Sequence, residues 1–389
     1  MSTAITMTDD IVERIQRRLA DEHSDPTSSA LARALRAESS GLISDAEMLR
    51  MIRLLQRELV GPGPLADLLA EPSTTDVVVN SPDDVRVDRG SGWQDTGVRF
   101  ADEAAVQRLA RRLATAAGRR LDDAHPYVDA RLADGTRLHA VLAPVSASGT
   151  CLSLRVLRPV RHDLAALERS GSLPGVTRAA LIAILRARLA FLVSGGTGSG
   201  KTTLLSALLA AVPAGERLVT VEDAEELRPP HPHLVRMVAR QANVEGAGAI
   251  SLRELVRQAL RMRPDRIVVG EVRAEVVDLL AALNTGHDGG AGTVHANTAA
   301  DVPARLEALA ALGGIGRDAL HAQLAGAVQV ILHVSRHPSG RVLQEIAAVT
   351  RGPDGRTDVR PAIIGGRTVE PGAGVLARLL GDRGVDAPW

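Results

Sequence analysis

Lysine is almost missing from this sequence of 389 residues: its 46 basic residues are one lysine, Lys201, and 45 arginines. Aromatics are nearly as scarce. Trp93, Phe100, Tyr127, Phe191 and Trp389 are too scattered to form the stacking platforms that hold single-stranded nucleic acid. Net charge is missing too, because 46 acidic residues balance the basic ones, whereas a chain that lives on a polyanion usually carries a basic field. Direct nucleic-acid binding is therefore not expected. One cysteine, Cys151, permits no internal disulfide and no cysteine-based zinc cluster, which points to a reducing cytoplasm. The longest apolar stretch, Ala179 to Val193, is broken by Arg186 and Arg188 and falls short of the ~20 residues of a spanning helix. The N-terminal MSTAITMTDDIVER meets acids before any apolar run and does not read as a secretory signal. A cytoplasmic protein with no direct membrane insertion is expected, so any membrane work must pass through a partner.

What remains is an ordinary globular composition, 45% apolar and 24% charged, at a length that suggests two or three domains. Residues 1–60 read as a helical N-terminal extension, with Ile11, Ile15 and Leu19, then Met48, Ile52 and Leu55, at helical spacing. Gly61-Pro62-Gly63-Pro64 ends it. Over 61–163 the short β-rich runs TDVVVN, DVRVDRG, TRLHAVLAP and CLSLRVL surround one helical stretch, DEAAVQRLARRLATAA, and predict a small α/β domain. Over 164–352 the apolar runs LAFLVSG, RLVTVED, RIVVGEV, AGTVHAN and VQVILHV alternate with amphipathic segments, the pattern of a mostly parallel sheet covered on both faces. Ser251 and Glu254 form a capping box, and Arg253, Arg257 and Arg261 read as the solvated face of the helix they open. The last strands turn at His337-Pro338-Ser339-Gly340. Residues 353–389 read as a Gly/Pro/Arg-rich tail without a functional signal.

The solitary lysine lies in Gly195-Gly196-Thr197-Gly198-Ser199-Gly200-Lys201-Thr202, followed by Thr203, which matches the phosphate-loop pattern at every fixed position. An apolar strand enters the loop and a helix leaves it. Glycines let successive backbone N–H groups curve around an anion, and the helix N-terminus adds its positive end. Lys201 would reach the β- and γ-phosphates of ATP and Thr202 would hold Mg²⁺. A compact ammonium acts there as a point charge, while a planar guanidinium needs more room. A chain that writes arginine everywhere else keeps lysine where that geometry demands it.

Hydrolysis also needs a carboxylate to hold water and complete the Mg²⁺ shell. Two apolar strands deliver acids at their C-terminal ends: Glu222-Asp223 after RLVTV, and Glu271 after RIVVG. Asn284-Thr285-Gly286-His287-Asp288-Gly289-Gly290 follows, then Thr293-Val294-His295-Ala296-Asn297. His287 and His295 lack the spacing of a helical zinc pair. His295, at a strand end, suits a sensor of the γ-phosphate.

With four boxes in order, GGTGSGKTT, TVEDAEEL, RMRPDRIVVGEVR and NTGHDGGAGTVHAN, the chain resembles the secretion ATPases of the type II/type IV superfamily, over about residues 60 to 350. It looks most like the tight-adherence (TadA/CpaF-like) subfamily, which powers Flp-type pili. The resemblance implies an N-terminal α/β domain joined to a RecA-like ATPase domain, a homo-hexameric ring, and a polytopic inner-membrane platform protein as partner. It gives Glu271 the attacking water and Mg²⁺, Glu222 a supporting role, and His295 the γ-phosphate, with His287 as a subunit or domain contact. VDARLADGTR (Val128 to Arg137) resembles the segment that brings arginines over the nucleotide, so Arg131, Arg137 and Arg155 are candidate fingers. The chain departs from the pattern after GEVR, where Arg273-Ala274-Glu275 is one residue short, and no role is carried over to Arg273 or Glu275.

The expectation is thus a cytoplasmic ATPase, peripheral at the inner membrane face through its partners, that converts Mg-ATP hydrolysis into pilus assembly or protein secretion. A motor for conjugation-type DNA transfer or uptake is one alternative. A nucleotide-gated scaffold that does not hydrolyse is the other.

Overall fold

The computed structural model describes residues 14, 15, 17–19, 21, 27–38, 44–59, 61–156, 162–240, 242, 243, 245–337 and 340–389. Ile11 of the expected apolar stripe, and Pro338 and Ser339 of the expected turn, lie outside them. The chain divides into two compact units, Met1–Arg158 and Pro159–Trp389. No helix among the described residues is long and apolar enough to cross a membrane.

In the first unit, helices α1 (Ser28–Glu38) and α2 (Asp45–Leu59) bury Leu31, Leu35, Met51 and Leu55 with Ile15 and Leu19 in a core of their own. The short α3 (Ala66–Ala70) follows. A six-stranded antiparallel sheet then runs in the order β3-β2-β1-β6-β5-β4. Its strands are β1 (Asp76–Ser81), β2 (Asp84–Asp88), β3 (Trp93–Asp95), β4 (Tyr127–Arg131), β5 (Arg137–Val141) and β6 (Cys151–Arg155). Alternation of burial shows that one face is covered: Val77 and Val79 are buried while Val78 is half-buried and Asn80 exposed. The cover is α4 (Glu103–Ala116), which lays Val106, Leu109, Ala110 and Leu113 on that face. Asp102 caps it by accepting from the Ala105 N–H at 2.7 Å.

The second unit is built on nine strands in the order β15-β14-β13-β12-β7-β11-β10-β8-β9. Six of them run parallel: β12 (Val330–His337), β7 (Phe191–Ser194), β11 (Ala291–Val294), β10 (Arg266–Val269), β8 (Leu218–Glu222) and β9 (Leu234–Val238). The four central strands, β7, β11, β10 and β8, are buried along their whole length, as parallel strands covered on both faces are. Phe191 and Val193 enter one core while Ala190 and Leu192 enter the other. Helices α5 (Leu164–Arg169), α6 (Thr177–Arg186) and α7 (Lys201–Ala210) serve the first core, and α8 (Leu252–Leu260), α9 (Val276–Leu283), α10 (Val302–Leu312) and α11 (Arg317–Ala327) the second. Arg253 and Arg257, expected as a solvated row, both reach Asp278 of α9, at 2.8 and 3.2 Å.

Residues 353–389, read as a tail, continue this sheet. Antiparallel β13 (Gly340–Arg351), β14 (Thr357–Ile364) and β15 (Arg367–Thr368) extend it, and α12 (Gly372–Gly381) buries Val375, Leu376 and Leu380 in the first core. Gly352-Pro353-Asp354-Gly355 looks like a chain break in sequence but is a hairpin turn, closed by the Gly352 N–H donating to Arg356 O at 2.6 Å.

At the N-terminal end of β10, Arg266 is 1% exposed. Its Nε donates to Glu216 Oε2 at 2.7 Å, and its Nη2 to Leu185 O at 2.8 Å. Removing the guanidinium would leave the mostly buried Glu216 carboxylate with only Arg188, 3.8 Å away, and the loss of one member of a buried pair typically costs about 3–5 kcal/mol. Arg266→Ala is therefore expected to lower unfolding stability in denaturant by at least ~3 kcal/mol, and a loss under ~1 kcal/mol would contradict this account.

Candidate functional site

Ligands gather beyond the C-terminal ends of the strands in open parallel sheets, and the phosphate loop leaves β7 there. Gly195 to Gly200 carry the chain from Ser194 into α7. Two glycines are forced: a Cβ on Gly195 would overlap the Val334 carbonyl oxygen, and Gly200, with φ +99°, begins the helix from the left-handed region. Lys201 is 8% exposed and donates from Nζ to the carbonyls of Gly195 (2.9 Å) and Gly196 (2.7 Å). Burial lowers its pKa, and the nearby carboxylates of Glu271 and Glu226 oppose that. Ser199 is buried with no hydrogen-bond partner for its hydroxyl, and its N–H makes only a 3.4 Å bond to Gly196 O. Polar groups spent this weakly inside a glycine loop, beside a buried ammonium, fit a phosphate chain.

The strand-end acids differ sharply. Glu222, the last residue of β8, is 3% exposed, and its Oε1 accepts the N–H groups of Glu226 (3.1 Å) and Leu227 (3.0 Å). It packs so closely against Gly270 that a Cβ there would lie 2.7 Å from Glu222 Cγ. Glu222 thus shapes the acidic box. Glu271 is solvent-accessible, and His295 Nε2 lies 3.3 Å from its Oε1.

His295 Nδ1 sits 3.5 Å from Lys201 Nζ. An ammonium can only donate, so Nδ1 must accept, and the proton sits on Nε2, facing the Glu271 carboxylate. Burial and then the charge of Lys201 hold the His295 pKa below its ordinary value, which keeps the ring neutral. One line of polar contacts therefore joins the loop lysine to the strand-end acid through a neutral imidazole. Thr293 Oγ1, donating to Gly270 O at 2.6 Å, locks the ends of β11 and β10 together beneath it.

Sequence reasoning gives several residues here no individual role. Arg273 Nη1 donates to Asp223 Oδ2 at 2.6 Å and Nη2 to Glu271 Oε2 at 3.2 Å, so it ties the two acidic boxes together. Burial opposes its charge, but Glu271 and Asp223 outweigh burial and raise its pKa. Glu275, itself buried, accepts the Arg273 N–H at 2.7 Å. Glu226 Oε2 accepts from Thr202 Oγ1 at 3.3 Å, beside the position expected to hold a metal. His333 of β12 is buried with Nδ1 2.9 Å from Ser194 Oγ, directly under the loop.

The histidine box is divided. His295 directly follows β11 at the site, while Asn284 to Gly290 precede that strand, which spans roughly 13 Å at ~3.3 Å per residue. There His287 Nδ1 lies 3.2 Å from Ala282 O, and Asp288 accepts from Arg383 at 2.8 Å.

In the first unit, the register sets Arg131 opposite Arg137 and Arg137 opposite Arg155, one row across β4, β5 and β6. Asp76 on β1 continues the row and accepts from Arg155 Nε at 2.9 Å. Like charges in register on neighbouring strands repel, and Asp76 offsets part of that repulsion at Arg155.

Residues 58–367 match the family described as type II/IV secretion system protein. A Mycobacterium tuberculosis protein named for conjugal transfer is 59% identical over 349 residues, covering 88% of this chain and 99% of that one. The conjugal transfer protein TrbB of Sinorhizobium fredii is 30% identical over 317 residues, covering 80% and 93%. The structure is similar to the pilus retraction motor PilT (TM-score 0.53, 21% identity, 82% of this chain and 86% of that one) and to the Legionella pneumophila ATPase DotB (TM-score 0.50, 18% identity, 79% and 81%). Those likenesses identify the fold, a RecA-like ATPase domain behind an N-terminal α/β domain. Four ordered boxes, the loop-to-acid geometry and a family match over most of its length lead to one assignment: the chain belongs to the type II/IV secretion system ATPase superfamily.

Proposed function

We propose that this protein hydrolyses Mg-ATP, as a homo-hexameric ring of the tight-adherence type, and works a polytopic inner-membrane platform protein to assemble pili or secrete protein. The observation that carries the reading is the line Lys201, His295, Glu271 beside the glycine loop. ATP with its Mg²⁺ would supply the transferable phosphoryl group and neutralise charge as it moves. The loop N–H groups and Lys201 bind and orient the phosphates. Thr202 and Glu271 are the metal positions, with Glu226 steadying the Thr202 hydroxyl. Glu271 takes the proton of the attacking water, and neutral His295 donates from Nε2 to hold that carboxylate in place. Glu222 supports the acid box. Arg131, Arg137 and Arg155 supply cationic stabilisation as the phosphoryl group departs.

Steady-state ATPase assays with native mass measurement test the proposal. ATP-dependent hexamers with turnover are expected, and a persistent monomer or no hydrolysis would overturn it. Alanine at Arg137 is expected to lower kcat about tenfold, one step of roughly 1.4 kcal/mol, because two neighbours of the row remain. A kcat within twofold of wild type would remove Arg137 from the fingers. A DNA-transfer motor is the second reading, favoured by the names of the mycobacterial and Sinorhizobium relatives. Single-stranded DNA that raised turnover many-fold at physiological salt would select it.

A further inference from the structure

The β12–β13 hairpin lies along the phosphate loop. Val334 O stands against Gly195, and Arg336 and Arg341, cross-strand partners, flank the loop further on. Arg341 Nε donates to Gly198 O at 3.0 Å, and its Cδ lies 3.0 Å from where a Cβ on Gly200 would sit. Its side chain therefore lies over the loop and grips it by a carbonyl. In a trans peptide the carbonyl and the following N–H point in opposite directions. Whatever fixes Gly198 O on one side of the loop also fixes the Ser199 N–H on the other. That N–H already points inward, toward Gly196 O, on the side where the Lys201 ammonium sits.

Resting on the nucleotide reading above, we propose that Arg341 is a positioning residue for phosphate binding: by holding the Gly198 carbonyl outward it presets the Ser199 N–H to face the anion. A guanidinium donating to a backbone carbonyl is a charge-assisted bond, stronger than a neutral one. Without it the bound anion must order the Gly198–Ser199 peptide at its own expense, which weakens binding rather than chemistry. Glycine-rich loops gain most from an outside anchor, because glycine itself leaves many conformations open.

The test uses the full-length protein and three substitutions. Arg341→Met keeps an aliphatic stem over Gly200 and removes the donor, Arg341→Lys keeps a cationic donor, and Arg351→Ala alters an exposed arginine at the far end of β13. Calorimetric binding of a non-hydrolysable Mg-ATP analogue is expected to weaken about tenfold in Arg341→Met, with a matching rise in KM and kcat within about twofold. Arg341→Lys should recover at least a third of the lost affinity, and Arg351→Ala should bind as wild type. Wild-type affinity in Arg341→Met would overturn the inference, as would a fall in kcat at unchanged KM. Failure of the wild-type protein itself to bind the analogue would instead bring down the nucleotide reading, and this inference with it.

Discussion

Glu271→Gln is expected to reduce ATP turnover about a thousandfold while leaving affinity for a non-hydrolysable Mg-ATP analogue within about threefold of wild type. Glutamine has the shape of glutamate, and its oxygen still accepts from His295 Nε2, 3.3 Å away in the native protein. Arg273 keeps Asp223 as its charged partner, so the end of β10 is not left with an uncompensated cation. The negative charge disappears, and with it the capacity to take a proton, while the amide oxygen can still face the metal; general base catalysis is typically worth 10²–10⁴-fold. Glu222→Gln makes the contrast. That carboxylate is buried and accepts two backbone N–H groups, so its loss should show first as lowered thermal stability. Steady-state kinetics of the two variants separate the roles. Turnover within tenfold of wild type in Glu271→Gln would move the base elsewhere.

The chemistry of the loop and the ends of the strands is legible in the sequence because each is a local pattern. A glycine run between an apolar strand and a helix has one physical reading, and so does an acid that closes an apolar strand. Long-range pairings are not local, and these are what sequence reasoning missed. Arg273 is 50 residues from Asp223, and Arg341 is 143 residues from Gly198. Arg273 closes one of the sequence boxes, but among 45 arginines nothing tells what it holds, and nothing marks Arg341 at all, before the fold brings each to its partner. The same holds for Arg131, Arg137 and Arg155, which become a row only through the register of β4, β5 and β6. Residues 353–389 differ from the expected tail for another reason. Gly352 to Gly355 has the composition of a linker, and only pairing of β13 with β14 shows that it closes a hairpin. The histidine box misleads in the opposite sense: fourteen neighbouring residues, Asn284 to Asn297, look like one functional unit, yet a buried strand carries His295 to the phosphate end and leaves His287 behind.

Lys201→Arg is expected to be nearly as damaging as Lys201→Ala, with both losing at least about a hundredfold in analogue affinity and turnover. Arginine is this chain's default cation, so if charge alone mattered the substitution would be mild. Geometry argues otherwise. The Nζ atom is held between the Gly195 and Gly196 carbonyls at 2.9 and 2.7 Å, and His295 Nδ1 lies 3.5 Å away. A compact ammonium with three rotatable donors meets three acceptors that converge on one point, whereas a guanidinium spreads its donors in a rigid plane. The loop has little room to widen around that plane, because the Val334 carbonyl leaves no space for even a Cβ at Gly195 and the Arg341 side chain lies over Gly200. The fork would have to leave the loop interior, taking its charge away from the phosphates and from His295. Removing the ammonium also removes the charge that helps to keep His295 neutral. The His295 pKa should therefore rise in Lys201→Ala, readable by NMR titration as an imidazole that protonates at higher pH than in wild type. Lys201→Arg with affinity within threefold of wild type would show that charge, rather than shape, is what the loop requires.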